Sequence, residues 1–373
     1  MAVNTVDTQL NPYSLFAEMR ASQRVNFNQM VSMWEVFRYT DVQRVLNDYA
    51  TFSSNYIGGG PLSESLIGMD PPRHRQLRNL VTQAFTPRTI AQLAPRITEI
   101  VHGLLDKVEA KGEMDIVDDL AAPLPTIVIA ELLGIPAADR ERFKQWSGDI
   151  VSTSVFTGLD PQSEMGEYFL AMIEQRRKEP QDDLITALLQ AQIDGEHLSM
   201  TELLGFCIVL LVAGNITTTN LIGNIVLCLD DHPEAFEELK AEPALAPGAI
   251  EEVLRYLSPI QSMFRLTKTD TIIGEQEIPA RKMVLAWIGA ANRDEEQFSS
   301  PETFDIRRSP NRHIAFGHGI HFCLGAPLAR LEGKIVLETM LARAPHMQRR
   351  RHVPLERTDS FFLYGVKHLL VTF

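Results

Sequence analysis

The chain has 373 residues, 45% of them hydrophobic, a net charge of -13 and a mean hydropathy of -0.06. Such a composition fits a soluble globular protein with a sizeable core, and the acidic balance excludes a nucleic-acid binder, which needs clustered Lys and Arg. Three cysteines, Cys207, Cys228 and Cys323, give no disulfide framework and fit a reducing cytoplasm, the expected location.

The first residues, MAVNTVDTQLNPYSLF, have no basic start followed by an apolar run, so neither a signal peptide nor a membrane anchor is expected. A short helix is expected over 12–22, a strand over 32–38 and a helix over about 41–47. Residues 55–69, NYIGGGPLSESLIGM, read as a glycine-rich loop with apolar ends. Helical periodicity then covers 71–85, 89–111, 119–133, 139–153, 162–178, 181–192, 198–230, 232–241 and 247–257. Asp70 and Pro71 suit the N-cap and first position of the first of these.

From Leu203 to Leu229 no residue is charged, which is long enough to cross a bilayer. Asn215, Thr217, Thr218, Thr219, Asn220 and Asn224 crowd its second half, however, and a helix apolar nearly all round with a polar patch midway reads as the buried centre of a large protein. After Pro259, residues 260–290 alternate as short strands do. Residues 292–316 are irregular, a helix follows Cys323, and the tail SFFLYGVKHLLVTF reads as a strand pair. With no repeat or linker, the expectation is one domain over 1–373, with a mostly α body over about 71–257 and β-rich parts over about 26–55, 260–290 and the tail.

The stretch HIAFGHGIHFCLGAPLARLE, residues 313–332, sets one cysteine among glycines at a helix start. Gly317, Gly319 and Gly325 permit tight turns and close approach of backbone to something flat. Pro327 fits a first helical turn. A thiolate at a helix N-terminus gains from free amide N–H groups and the helix dipole. Zinc would want more Cys and His at ligand spacing, and there is no CxxC. One thiolate and one large planar cofactor fit better, since haem iron accepts a single Cys axial ligand.

FGHGIHFCLG resembles the haem-ligand loop of the cytochrome P-450 family, the haem-thiolate monooxygenases, through Phe316, Gly317, Gly319, His321, Cys323 and Gly325. Three further motifs extend the resemblance. In EEVLR, Glu252 and Arg255 share a helical face; the family pairs them and locks them with an upstream arginine, for which Arg308 stands at the matching place. In DPPRHRQLR, His74 and Arg78 are four apart; the resemblance gives them to the haem propionates, together with Arg265 and His321. In AGNITTTN, Ala213, Gly214, Thr217 and Thr218 match the oxygen-binding segment, with Gly214 thinning the helix over the iron and Thr217 hydrogen-bonding bound oxygen. The family's acid before the threonine is missing, because Ile216 occupies its position.

The resemblance implies the mostly α cytochrome P-450 fold with haem b held by Cys323 between the long helix and the cysteine loop. It also implies insertion of one oxygen atom of O2 into an apolar substrate, with electrons from a separate ferredoxin and reductase. Arg73, Arg75, Arg312 and Arg330 are candidate docking cations for that donor. Peroxide-driven or otherwise atypical chemistry is the alternative that Ile216 raises, and a non-catalytic haem sensor or electron carrier is the alternative from another class. The expected substrate pocket draws on Tyr56, Ile57, Leu66, Ile67, Phe156, Val209, Ile216, Ile260, Met263, Phe264, Phe361 and Phe362, an apolar lining apt for terpenoid, steroid, macrolide or fatty substrates.

Overall fold

The computed structural model of the chain describes residues 11–22, 24–56, 63–143, 145–146, 164–193 and 195–373. Two of the expected pocket residues, Ile57 and Phe156, lie outside these.

The chain opens with α1 (Tyr13–Ser22), β1 (Val25–Asn28), β2 (Met33–Val36), α2 (Tyr39–Asn47) and β3 (Phe52–Ser53). Helices α3 (Arg73–Ala84), α4 (Pro87–Ala91) and α5 (Ala94–Glu109) follow, then β4 (Glu113–Asp115), a π-helical turn (Ile116–Ala121) and α6 (Pro123–Leu132). The helix expected over 89–111 is therefore two helices, broken at Gln92 and Leu93. Asp70 does not cap α3. Its carboxylate instead accepts from Ser53 Oγ (2.6 Å) and the Ser54 amide (3.0 Å), and α3 starts two residues beyond Pro71.

Next come α7 (Glu164–Lys178), α8 (Leu184–Gln190), the small pair β5 (Gln192–Ile193) and β6 (Glu196–His197), and the long α9 (Met200–Asp231). A capping box starts α9: Ser199 Oγ accepts from the Glu202 amide, and the Glu202 carboxylate accepts from the Ser199 amide. Although α9 is long and apolar enough to cross a membrane, it is the core helix here. It packs against α6 and α7, and also against α10 (Pro233–Ala241), α11 (Ala246–Tyr256) and α13 (Ala326–Arg343).

Strands β7 (Met263–Thr267), β8 (Thr271–Ile273), β9 (Gln276–Ile278) and β10 (Met283–Ala286) and the short α12 (Ile288–Ala291) follow Pro259. One five-stranded sheet runs β1-β2-β10-β7-β3, with β10 parallel to β2 and the other pairs antiparallel. The tail is not the expected strand pair. Only β12 (Leu370–Thr372) is a strand, and its partners are β11 (Gln348–Arg349) and β4; Ile260–Leu363 and Arg357–Val366 are single bridges. A period-2 pattern marks strand character but not which distant segment supplies the partner.

Two apolar clusters carry the packing. The larger is helical and includes Leu104, Leu124, Ile173, Leu221, Ile225, Val253 and Val336; the smaller lies under the sheet around Val42, Phe52, Val284 and Phe298. Each fully buried side chain of this kind contributes about 1.5–3 kcal/mol.

Candidate active site

Residues 313–325 form an irregular loop that delivers Cys323 to the start of α13. The Cys323 amide donates to the Phe316 carbonyl at 2.9 Å, closing the loop. Gly317 and Gly319 have φ of 74° and 72°, and a Cβ on Gly319 would lie 2.6 Å from Asn47 Oδ1. A side chain there would both strain the backbone and collide with α2. Burial raises the Cys323 thiol pKa, while the Gly325 and Ala326 amides and the Arg78 and Arg330 guanidinia oppose that rise. The sulfur is thus a half-buried thiol already surrounded by groups that favour its thiolate, and metal coordination would complete the deprotonation.

The loop is held from α11. Glu252 and Arg255 are fully buried and paired through two hydrogen bonds of 2.8 Å. The same carboxylate accepts from Arg308 Nε (3.2 Å), Asn311 Nδ2 (3.1 Å) and the Asp305 amide (2.8 Å). Arg255 spends its remaining N–H groups on the Asn292, Pro301 and Thr303 carbonyls. Glu252 and Arg255, paired by their spacing, and Arg308, added by the family resemblance, form one desolvated network.

His74, Arg78, Arg265 and His321 also meet, although they come from α3, β7 and the cysteine loop. The His74 and His321 rings are 4.3 Å apart, and each has a buried Nε2 with no hydrogen-bond partner among the described residues. Burial, then neighbouring cations, lowers the pKa of His74 to about 4 and of His321 to about 3. Arg265 is buried and donates to the Phe264 carbonyl at 2.7 Å, while Arg78 Nη2 donates to the Phe322 carbonyl at 2.7 Å. Desolvation lowers both arginine pKa values. Four cationic or donor groups thus crowd together without forming an ion pair among the described residues. The one nearby carboxylate, Asp70, is already bound to Ser53, Ser54 and Lys268. Two carboxylates of a ligand would supply what this cradle lacks, so the residues present fit the two propionates of a haem.

Along α9, Leu210, Val212, Ala213, Gly214, Ile216 and Thr217 are not buried, although the helix is buried on either side of them. Ala213 is exposed, and Thr217 Oγ1 donates back to its carbonyl at 2.6 Å. This bare strip in the centre of the molecule marks open space beside the helix. Gly214 has a neighbour other than the expected one. A Cβ there would sit 3.1 Å from Ile129 Cδ1, so the glycine admits α6 to close contact. Thr218 is buried, and Thr219 Oγ1 donates to the Ala121 and Asn215 carbonyls, both at 3.1 Å. No acidic side chain stands on the strip, where Ile216 occupies the central place.

The expected pocket residues divide. Phe264 lies 6.1 Å from Tyr56 and 6.0 Å from Phe361, which is 5.6 Å from Phe362, an aromatic run joining the first loop, β7 and the tail. Ile260, bridged to Leu363, and Met263 border the sheet-side cluster; Ile67 is exposed; Leu66 and Val209 belong to the helical core. Of the four candidate docking arginines, Arg73 is committed to Glu202 (2.6 and 2.7 Å) and Arg330 to Glu251 (2.7 and 2.9 Å); Arg75 and Arg312 have no ion pair among the described residues. Sequence reasoning passed over Glu251 and also Glu332, whose buried carboxyl has an oxygen without a partner and whose pKa burial alone pushes up to about 8. Glu332 had a visible signal, an acid at a helix position flanked by core residues.

The family model described as Cytochrome P450 matches residues 160–358. Cytochrome P450 109 of Bacillus spizizenii is 41% identical over 97% of this chain and 92% of its own length. The erythromycin C-12 hydroxylase of Saccharopolyspora erythraea is 41% identical over 95% and 92%. The crystal structure of CYP109E1 from Bacillus megaterium in complex with testosterone superposes with a TM-score of 0.93 at 42% identity, covering 99% of both chains.

Proposed function

The chain belongs to the cytochrome P450 family and is a P450 monooxygenase, and from that premise we propose that Cys323 ligates haem b and that a ferredoxin with its reductase feeds the centre in the cytoplasm. The chemistry haem supplies when bound is two-electron reduction of O2 with insertion of one oxygen atom into a C–H or C=C bond, the second oxygen leaving as water. The observation that carries the reading is the cluster of Arg265, Arg78, His74 and His321, with no ion pair among the described residues, beside the half-buried Cys323 loop.

The protein's own groups divide the work. Cys323 donates electron density through its sulfur, held by the Gly325 and Ala326 amides. Arg78 and Arg265 would neutralise the propionates, and the two imidazoles would offer hydrogen bonds to them. Glu252 keeps the loop fixed through Arg255 and Arg308. On the α9 strip, Thr217 presents a hydroxyl whose lone pairs remain free to accept while its proton rests on the Ala213 carbonyl. Ile216 can neither hold nor pass a proton, so delivery beside Thr217 falls to water held by neighbouring polar groups, to a substrate hydroxyl, or to an acid elsewhere. Where none of these routes is in place, the expected result is slow, weakly coupled oxygenation with peroxide release.

The aromatic run from Tyr56 to Phe362 favours a rigid apolar substrate of steroid size, the reading that the testosterone-bound relative also supports. The test is substrate-dependent consumption of NADPH and O2 by the haem-loaded protein with a ferredoxin and its reductase, after a steroid and macrolide panel has been screened for shifts of the haem absorption. Oxygenated product from a compound that shifts the spectrum supports the reading. Haem binding without substrate-dependent turnover across the panel would instead make the protein a sensor or electron carrier.

A further inference from the structure

In EEVLR two carboxylates stand side by side, and they face different partners. Glu252 turns to Arg255 and Arg308. Glu251 turns to the cysteine loop and grips it at both ends. Arg330, on the first turns of α13, donates Nε to Glu251 Oε1 at 2.7 Å and Nη2 to Oε2 at 2.9 Å. His313, ten residues before Cys323, lies with Nε2 3.0 Å from Oε2. Its Nδ1 accepts from the Ala315 amide at 3.2 Å, which places the proton on Nε2 and makes the imidazole a donor to the carboxylate without needing a positive charge. The Arg330 guanidinium, anchored this way, lies over the Phe316 ring, 4.5 Å from its centroid, and the Phe316 carbonyl accepts the Cys323 amide. Burial would raise the Glu251 pKa, but the bonds from Arg330 and His313 bring it down to about 2, so the carboxylate is charged throughout the working range.

This arrangement does two things that a surface ion pair does not. A bidentate Arg–carboxylate pair is geometrically specific, so it fixes where the guanidinium sits against the aromatic ring. It also sets how much positive charge the thiolate feels, because Arg330 acts on the Cys323 sulfur and Glu251 offsets that cation.

We propose that Glu251 is a positioning residue for the haem-thiolate centre, holding Arg330 on Phe316 and His313 at the head of the loop so that the charge beside the Cys323 sulfur, and with it the ease of one-electron reduction, is set by the Glu251–Arg330 pair. The proposal rests on Cys323 being the iron ligand.

The experiment is equilibrium redox titration of the haem-loaded wild type, Glu251→Gln, Arg330→Gln and the double variant, with the reduced carbon monoxide spectrum of each. Glu251→Gln leaves the guanidinium unbalanced and is expected to shift reduction about threefold to tenfold in favour of the reduced state, an upward shift of at most about 59 mV for one electron. Arg330→Gln is expected to shift it the opposite way. The double variant is expected to return to within about twofold of wild type, with coupling between the two sites. Raising the salt should shrink both single shifts, since the pair is partly exposed. Single variants that move the potential in the same direction, or not at all, would overturn the positioning role. If Glu251→Gln fails to load haem, Arg330→Gln decides alone, because Glu251 keeps His313 there, and an unchanged potential overturns the proposal. A wild type lacking the thiolate-type absorption would overturn the Cys323 reading beneath it, whereas a normal wild-type spectrum with flat potentials defeats the Glu251 proposal only.

Discussion

Around the cysteine loop, carboxylates are saturated. Glu252 accepts from four partners and Glu251 from two, and under the proposed function each partner is part of what holds the Cys323 loop in place. Along the bare strip of α9 the opposite holds. Among the described residues, Thr217 bonds only within its own helix and buried Asn220 Nδ2 has no partner, and Ile216 fills the acid's position. On the proposed reading, the contrast separates a side that holds the Cys323 ligand with redundant charge from a side whose proton delivery falls to water, substrate or an acid elsewhere. The first task needs one geometry for every substrate, while the second can change with what is bound.

The largest expected effect comes from breaking the saturated side. Glu252→Gln removes the charge that Arg255 and Arg308 both need, and truncating one partner of a buried pair typically costs about 3–5 kcal/mol. Urea unfolding should show that loss, with haem content falling in parallel. Unchanged stability would mean that the network is dispensable.

Next in size is a pH effect at Glu332. Its folded pKa of about 8 is raised above the unfolded value, so the folded state favours the neutral acid. The associated stability is present below about pH 4.5 and is lost as pH rises toward 8, on the order of 3–5 kcal/mol in total. Glu332→Gln should flatten that slope in urea midpoints measured from pH 5 to 9. A wild-type slope that the variant retains would assign it to other groups.

The cradle titrates with the opposite sign to Glu332. His74 and His321 have folded pKa values below that of free imidazole, so the stability they confer is present above pH 6.5 and lost as pH falls from 6.5 through about 4 for His74 and about 3 for His321. Bound propionates reverse the environment of both rings, so haem should protect against acid unfolding in this window. His74→Gln should lose part of that protection, as haem release on acidification would report; release at the same pH as wild type would sever His74 from the propionates.

The smallest effect sharpens the open side. Ile216→Glu restores an acid beside Thr217 and should raise product formed per NADPH about two- to fivefold, well short of the ~10²–10⁴-fold of a fully positioned acid, with less peroxide released. Tight coupling in wild type, unaltered or worsened by the glutamate, would mean that this side already has a relay.

Much of this contrast was legible in the sequence, because local spacing encoded it. Glu252 and Arg255 are one helical turn apart and Cys323 sits at a helix start, while Ile216 stands out only against the family's acid at that position. The long α9 was readable from its unbroken apolar run. What stayed hidden depended on contacts between distant segments. Asp70 serves Ser53 and Ser54 rather than α3, Gly214 faces Ile129 from another helix, and Arg73 and Arg330 are paired with Glu202 and Glu251, 129 and 79 residues away. The tail's strand partners are likewise remote.

The most direct test of the whole account is the reduced carbon monoxide spectrum of the haem-loaded wild type beside Cys323→His. The account predicts thiolate-type absorption in the wild type and its loss in the variant with haem still bound, while Cys207→Ala and Cys228→Ala, both at buried positions in α9, keep it. A Cys323→His protein that retained the thiolate-type spectrum would contradict the account.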